Sequence, residues 1–183
     1  CACLVGSEMC IRDRYYTRGI FPWGNECYLR SDMYHQYAPF FSELWHKIRN
    51  GESLTYSWNI GMGTNFTSLF AYYLASPSNW FVALFPQKYT IEIMNAFIIL
   101  KIAGSSLSLT YYLTKHNNNK HVIAAIFGMF YGMSGFIAAY SWNIMWLDCV
   151  ILIPLIMLGL ERLVNENRCI FYCITLGLSL IHI

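Results

Sequence analysis

Charge is scarce in this chain: Lys, Arg, Asp and Glu make up 12% of its 183 residues, about half the share usual in a soluble domain. What charge there is nearly cancels, to +2. No basic field is left for gripping nucleic acid, and no nucleic-acid partner is expected. CxxC and paired-His spacings are missing, which removes the common zinc signatures; the cysteines outside the opening stretch, Cys27, Cys149, Cys169 and Cys173, read as buried, inert thiols. Neither a nucleophile elbow nor a P-loop nor the kinase motif set is present, so soluble hydrolases and nucleotide enzymes lose their support.

Hydrophobic residues are plentiful, at 56% of the chain with 17% aromatic, and they come in long runs. Residues 122–147 (VIAAIFGMFYGMSGFIAAYSWNIMWL) carry no formal charge and are long enough to cross a bilayer. Residues 89–114 form a span before it, interrupted by Glu92 and Lys101. Residues 147–164 form one after it, with Pro154 inside, and residues 169–183 begin another that the chain cuts short. A lone lysine at the depth of Lys101 is costly unless it snorkels or faces protein. Spanning segments are expected to be helical, because a helix satisfies its own backbone in lipid. The expected fold class is therefore all-α, with polytopic membrane helices at 89–114, 122–142 and 147–164. Gly128 and Gly132, at GxxxG spacing, and Ser134 and Gly135 read as helix-packing positions.

The loops set an orientation. KHNNNK (115–120) and ERLVNENR (161–168) hold the basic residues, while SWNIMWLD (141–148) has no Lys or Arg and two tryptophans suited to an interface. The positive-inside rule puts the first two in the cytoplasm and residues 141–148 outside, with residues 15–88 also external. The opening CACLVGSEMCIRDR has no signal-peptide layout, no amphipathic period and no initiator Met. It resembles translated sequencing-adapter read-through, as does the closing LSLIHI. Residues 1–14 and the end of 169–183 are expected to be non-native, and the chain to be an interior piece of a longer protein.

Within the external segment, Tyr34, Tyr37, Phe41, Leu44, Trp45 and Ile48 recur at helical spacing, Pro39 suits a first turn and Asn50-Gly51 supplies a stop. Glu43, His46, Lys47 and Arg49 lie roughly opposite, as in a helix resting on a membrane surface. A second helix is expected from Asn65 to Ala75, ended by Ser76-Pro77, with YSWNIGMGTN between the two as an ordered loop. PSNWFVALFP (77–86) is too short to span and reads as an interfacial dip.

Asp32, in SDMYHQY before the first surface helix, is either an N-cap or turn residue, or a general base or metal ligand for an acceptor hydroxyl. Tyr34, His35, Gln36 and Tyr37 place donors and rings beside it. The string Ser-Trp-Asn-Ile occurs at 57–60 and again at 141–144. Trp58, Asn59, Asn65, Trp142 and Asn143 thus suit either a sugar-binding wall, with indoles stacked on sugar faces, or an aromatic belt. Asp148, an acid at the outer edge of an apolar helix, must pair, face water or act; Lys101 is the cation at comparable depth.

The strings SDMYHQYAPFFSELWHKIRNGESLTYSWNIGMGTNFTSLFAYYLASPSNWF and SWNIMWLDCVILIPLIMLGLERL resemble the bacterial YfhO membrane-protein family over roughly residues 20–170. That family is similar to the GT-C glycosyltransferases, which take sugar from a polyprenyl-phosphate carrier on the outer face of the cytoplasmic membrane. The resemblance implies a catalytic carboxylate at Asp32 in the first external loop, a preceding span upstream, and a cell-envelope polymer such as lipoteichoic acid as acceptor. Stabilising the leaving phosphate would need cations or a divalent metal, for which Arg30, His35, His46 and Lys47 are the external candidates. A transporter or lipid-carrier flippase, with Lys101 and Asp148 lining a path, is the alternative; a non-catalytic scaffold predicts neither arrangement.

Overall fold

The computed structural model describes residues 2–20, 23–27, 29, 31–117 and 121–180. Helix dominates: α1 (Ala2–Thr17), α2 (Ala38–Asn50), α3 (Phe66–Leu69), α4 (Thr90–His116), α5 (His121–Gly132), α6 (Gly135–Tyr140), α7 (Ile144–Glu166) and α8 (Ile170–Leu180). A two-residue hairpin, β1 (Tyr56–Ser57) against β2 (Thr64–Asn65), is the sheet found among the described residues. The all-α expectation holds, and three helical stretches, Gln87–His116, His121–Tyr140 and Ile144–Glu166, are long and apolar enough to cross a membrane.

The membrane part is built on α4, whose 27 residues extend about 40 Å at the helical rise. It packs along both α5 and α7, and α8 folds back on α7. Glycine sets two of these approaches. A side chain at Gly132 would collide with Ser106 of α4, and a Cβ at Gly159 would lie 2.8 Å from the Tyr172 Cα of α8. Gly128 and Gly132 are both buried, as their spacing implied. The expected span over 122–142 is interrupted, because α5 stops at Gly132 and Ser134, in extended conformation, leads into α6. Outward faces remain apolar, with Leu100, Phe127, Phe130, Ile153 and Met157 exposed, as a lipid-facing surface requires.

α1 packs against α4 and α5 although it has no apolar stripe. The origin of residues 1–14 is a matter its packing does not address, and Cys1 and Ile181–Ile183 lie outside the described residues. Cys149 is half-buried, while Cys10, Cys27, Cys169 and Cys173 are exposed and free. The reading of buried thiols is thereby corrected for Cys27, Cys169 and Cys173, which the described residues leave uncovered.

The segment between α1 and α4 forms a cap of short helices. A π-helical turn, Met33–Tyr37, runs into α2, whose Pro39 lies in the first turn and whose C-terminal Gly51 adopts φ 65°, returning its N–H to the Lys47 carbonyl. Phe40, Phe41 and Leu44 enter the core together with Phe66, Leu74, Met94 and Ile98. Asn65 caps α3 by accepting from the Thr67 N–H at 3.0 Å. Residues Pro77–Leu84 form a 3₁₀ helix that leaves Trp80, Phe81 and Leu84 exposed.

Candidate functional site

Asp32 precedes the π-helical turn with helical backbone angles (φ −63°, ψ −17°) and its side chain accepts no capping hydrogen bond. An N-cap needs extended backbone and a carboxylate turned onto the N2 or N3 amide, so Asp32 does not cap. It is part-exposed, with Met33 and Tyr37 buried behind it. Gln36, on the same turn, accepts the Tyr73 hydroxyl at 2.6 Å. Tyr73 in turn meets the Tyr37 ring edge-on at 5.4 Å. Tyr34 and His35 are exposed and touch edge to face at 5.1 Å.

Tyr37 carries this turn onto the membrane bundle. Its hydroxyl donates to the Asn143 Oδ1 in a buried hydrogen bond. The Met145 backbone N–H is directed at the same phenol oxygen. Asn143 occupies the N-cap position of α7 without capping through its own side chain. Tyr37 thus serves the start of α7 from another part of the chain, supplying a partner to a first-turn amide. Burial above all, then the neighbouring Tyr73, Tyr72 and Asp32, pushes the Tyr37 phenol far above its ordinary range, against the lowering effect of Met145. Burial first, then Tyr72 and Asp32, raises Tyr73 as well. Both phenols are neutral hydrogen-bond donors at physiological pH.

The structure therefore brings Asp32, Gln36, Tyr37 and Asn143 into one neighbourhood, with Tyr73 as a member that sequence reasoning missed. Tyr73 is separated from Gln36 by 37 residues, and Phe-Ala-Tyr-Tyr-Leu offers no local hint of the contact. Trp142, half-buried, donates its indole N–H to the Ala139 carbonyl at 3.0 Å within its own loop.

The first Ser-Trp-Asn string bonds elsewhere. Asn59 Nδ2 donates to Glu43 Oε2 at 3.0 Å and Ser57 Oγ to Glu43 Oε1 at 2.6 Å. Lys47 Nζ donates to the Ser53 and Tyr56 carbonyls at 3.0 and 2.8 Å and lies 3.7 Å from Glu43. Trp58 projects outward, with 77% of its surface exposed, against Tyr56. Burial acts first to raise the Glu43 carboxyl, but the Ser57 and Asn59 hydrogen bonds and the Lys47 and His46 charges together hold it below the usual carboxylate range. Glu43 and Lys47 were expected on an open polar face; they are buried at 7% and 3% exposure because residues 53–59 cover them.

This also decides which cations stand near Asp32. Lys47 is committed to the loop and His46 faces Glu52 at 3.2 Å; of the four cations named for this role, Arg30 lies outside the described residues, and among those described His35 is left. Among the described residues no three His, Cys, Asp or Glu side chains converge to hold a metal. A divalent cation caged by protein ligands alone does not fit Asp32 and His35.

Asp148 pairs with Lys101 at 2.8 Å, and Lys101 also reaches the Ile144 carbonyl at 3.4 Å. The pair joins α4 to the first turns of α7, one turn below Asn143. At the other end of the bundle, His116 of α4 lies 2.9 Å from Glu161 of α7. The ends of α4 and α7 that lead into the basic loops therefore lie together, while Tyr37 and Asn143 join at the opposite end of α7. A cavity of about 430 Å³ between α1, α4 and α6 is lined by Ile102, Ile137 and Ser141 but by none of the candidate residues.

The family described as bacterial membrane protein YfhO has a model that matches residues 8–182. No curated protein and no solved structure matches the chain.

Proposed function

The chain belongs to this YfhO family of bacterial membrane proteins, and from that premise we propose that it forms part of a GT-C-type glycosyltransferase. The enzyme takes sugar from a polyprenyl-phosphate carrier and passes it to a cell-envelope polymer, such as lipoteichoic acid, on the outer face of the cytoplasmic membrane. The observation that carries this reading is Asp32: a part-exposed carboxylate, not engaged in capping, held at the mouth of the bundle on a turn anchored through Tyr37 to Asn143.

In the proposed reaction an acceptor hydroxyl hydrogen-bonds to Asp32, which takes its proton as the oxygen attacks the anomeric carbon. The bond from that carbon to the phosphate oxygen breaks with inversion, and the carrier phosphate leaves with the bonding electrons. Gln36 and Tyr73 fix the turn beneath the carboxylate, and exposed Tyr34 and His35 flank the acceptor, His35 lending positive charge when protonated. Trp58 offers an indole face for stacking further along the polymer, while Asn59 is held by Glu43 and Asn65 by α3. The transport alternative draws no support from Lys101 and Asp148, which close on each other.

The test is sugar incorporation into envelope polymer by the intact membrane protein, in cells lacking the endogenous activity, with Asp32 or Asp32→Asn at matched membrane abundance. Loss with the asparagine form supports the catalytic carboxylate; equal incorporation by both removes it.

A further inference from the structure

The end of the bundle away from Asp32 holds a second polar feature, which no part of the glycosyl-transfer reading uses. A cleft of about 440 Å³ opens between the last turns of α4 and α7, lined by Lys115, His116, Leu158, Arg162 and Asn165 and by two acids, Glu161 and Glu166. Its acids are already engaged. Glu161 accepts the Tyr112 hydroxyl at 2.7 Å and faces His116 at 2.9 Å, and Glu166, at the rim, lies 3.5 Å from Arg168. Lys115 and Arg162 have no carboxylate partner among the described residues. Instead each lies over an aromatic ring, Lys115 at 5.8 Å from the centroid of Tyr111 and Arg162 at 5.3 Å from that of Phe171. The rings hold both stems at the depth where aromatic side chains mark the edge of a bilayer.

We infer that this cleft binds the phosphate of an anionic lipid headgroup. Two cations without acidic partners converge on one opening, and Arg162 presents the planar fork that suits phosphate oxygens. The Asn165 amide adds a neutral donor, and Leu158, itself buried, closes the cleft on its inner side. A basic pocket between membrane helices at the headgroup level is the arrangement that retains anionic lipids. The shared chemistry is phosphate; a free phosphate ion is the other source, and the cleft's place at the ends of two helices long and apolar enough to cross a membrane favours the lipid.

The test is native mass spectrometry of the detergent-solubilised full chain after incubation with phosphatidylglycerol or phosphatidylcholine. The expected result is preferential retention of phosphatidylglycerol, lost roughly tenfold or more when Lys115→Gln and Arg162→Gln are combined. Lys115→Arg with Arg162→Lys, which keeps both charges, is expected to keep the preference, as is Lys88→Gln, which removes one charge at the other end. Equal retention of the two lipids, equal loss with Lys88→Gln, or displacement of phosphatidylglycerol by millimolar inorganic phosphate would overturn the assignment. Matched helicity by circular dichroism guards against a variant that fails to fold.

Discussion

On one face of the surface segment, Glu43 and Lys47 are buried together and bonded to the chain that covers them. On another, Asp32 stands half open beside two phenols and accepts no capping bond. Both regions are polar, both lie within the same stretch of sequence, and both are approached by a Ser-Trp-Asn string. In the first, each charge is neutralised and its hydrogen-bonding capacity is taken up by loop 53–59, so the charge organises structure. In the second, neutral groups fix the turn and the carboxylate stands part-exposed beside them. An acid that is fully bonded stabilises, whereas on the proposed function the carboxylate that caps nothing is the one that reacts.

The comparison can be broken most sharply with a pair of isosteric changes. Asp32→Asn is expected to lower sugar transfer by about 10²- to 10⁴-fold, the usual contribution of a general base, with little change in thermal unfolding; Glu43→Gln should reverse the order of those two effects. If transfer and unfolding respond alike at both positions, the distinction between the regions is lost. Lys47→Ala leaves Glu43 buried without its cation and frees two carbonyls, and is expected to cost about 3 kcal/mol or more. The measurement is hydrogen exchange of amides 53–59, which should quicken while those of α4 do not.

Smaller effects sharpen the picture. Tyr37→Phe removes the hydroxyl that Asn143 and the Met145 N–H share and should cost about 1–3 kcal/mol, read as a lower unfolding temperature in detergent. Asn143→Ala should add little on top of it, because the two changes remove the same bond. The smallest effect is on pH. The Glu43 carboxyl is held below its ordinary value of 4.5 in the folded protein, so its stabilising contribution is present above that value and fades as pH falls through the lower folded value. Exchange protection of residues 53–59 should therefore decline below about pH 4.5 in the native chain and show a much weaker decline in Glu43→Gln.

Much of this architecture was written in local pattern. The spacing of Tyr37, Phe41, Leu44 and Ile48 with a Gly51 stop describes α2, and uncharged runs describe the spans, because both signals come from neighbours along one helix. For Asp148 the cost of its depth left pairing, facing water or acting open, with Lys101 the cation at comparable depth, and the structure shows the pair. What escaped was set by chain that has no period. The burial of Glu43 and Lys47 depends on an irregular loop folding over them, and Tyr34, counted in the apolar stripe, is exposed at 62% because the turn before α2 is π-helical and rotates it outward. The twin Ser-Trp-Asn strings suggested one shared wall, yet Asn59 is bonded to Glu43 and Asn143 to Tyr37. Identity of sequence carried no information about which partner each would find.

The bond between Tyr37 and Asn143 also bears on how the protein is made. Its two ends are separated by 106 positions, so a ribosome delivers the phenol long before α7 exists to receive it. Until α7 is made, Tyr37 has no Asn143 to meet, while Phe41 and Leu44 already have Met94 and Ile98 of α4 to pack on. Docking of the cap is thus begun on α4 and completed by α7.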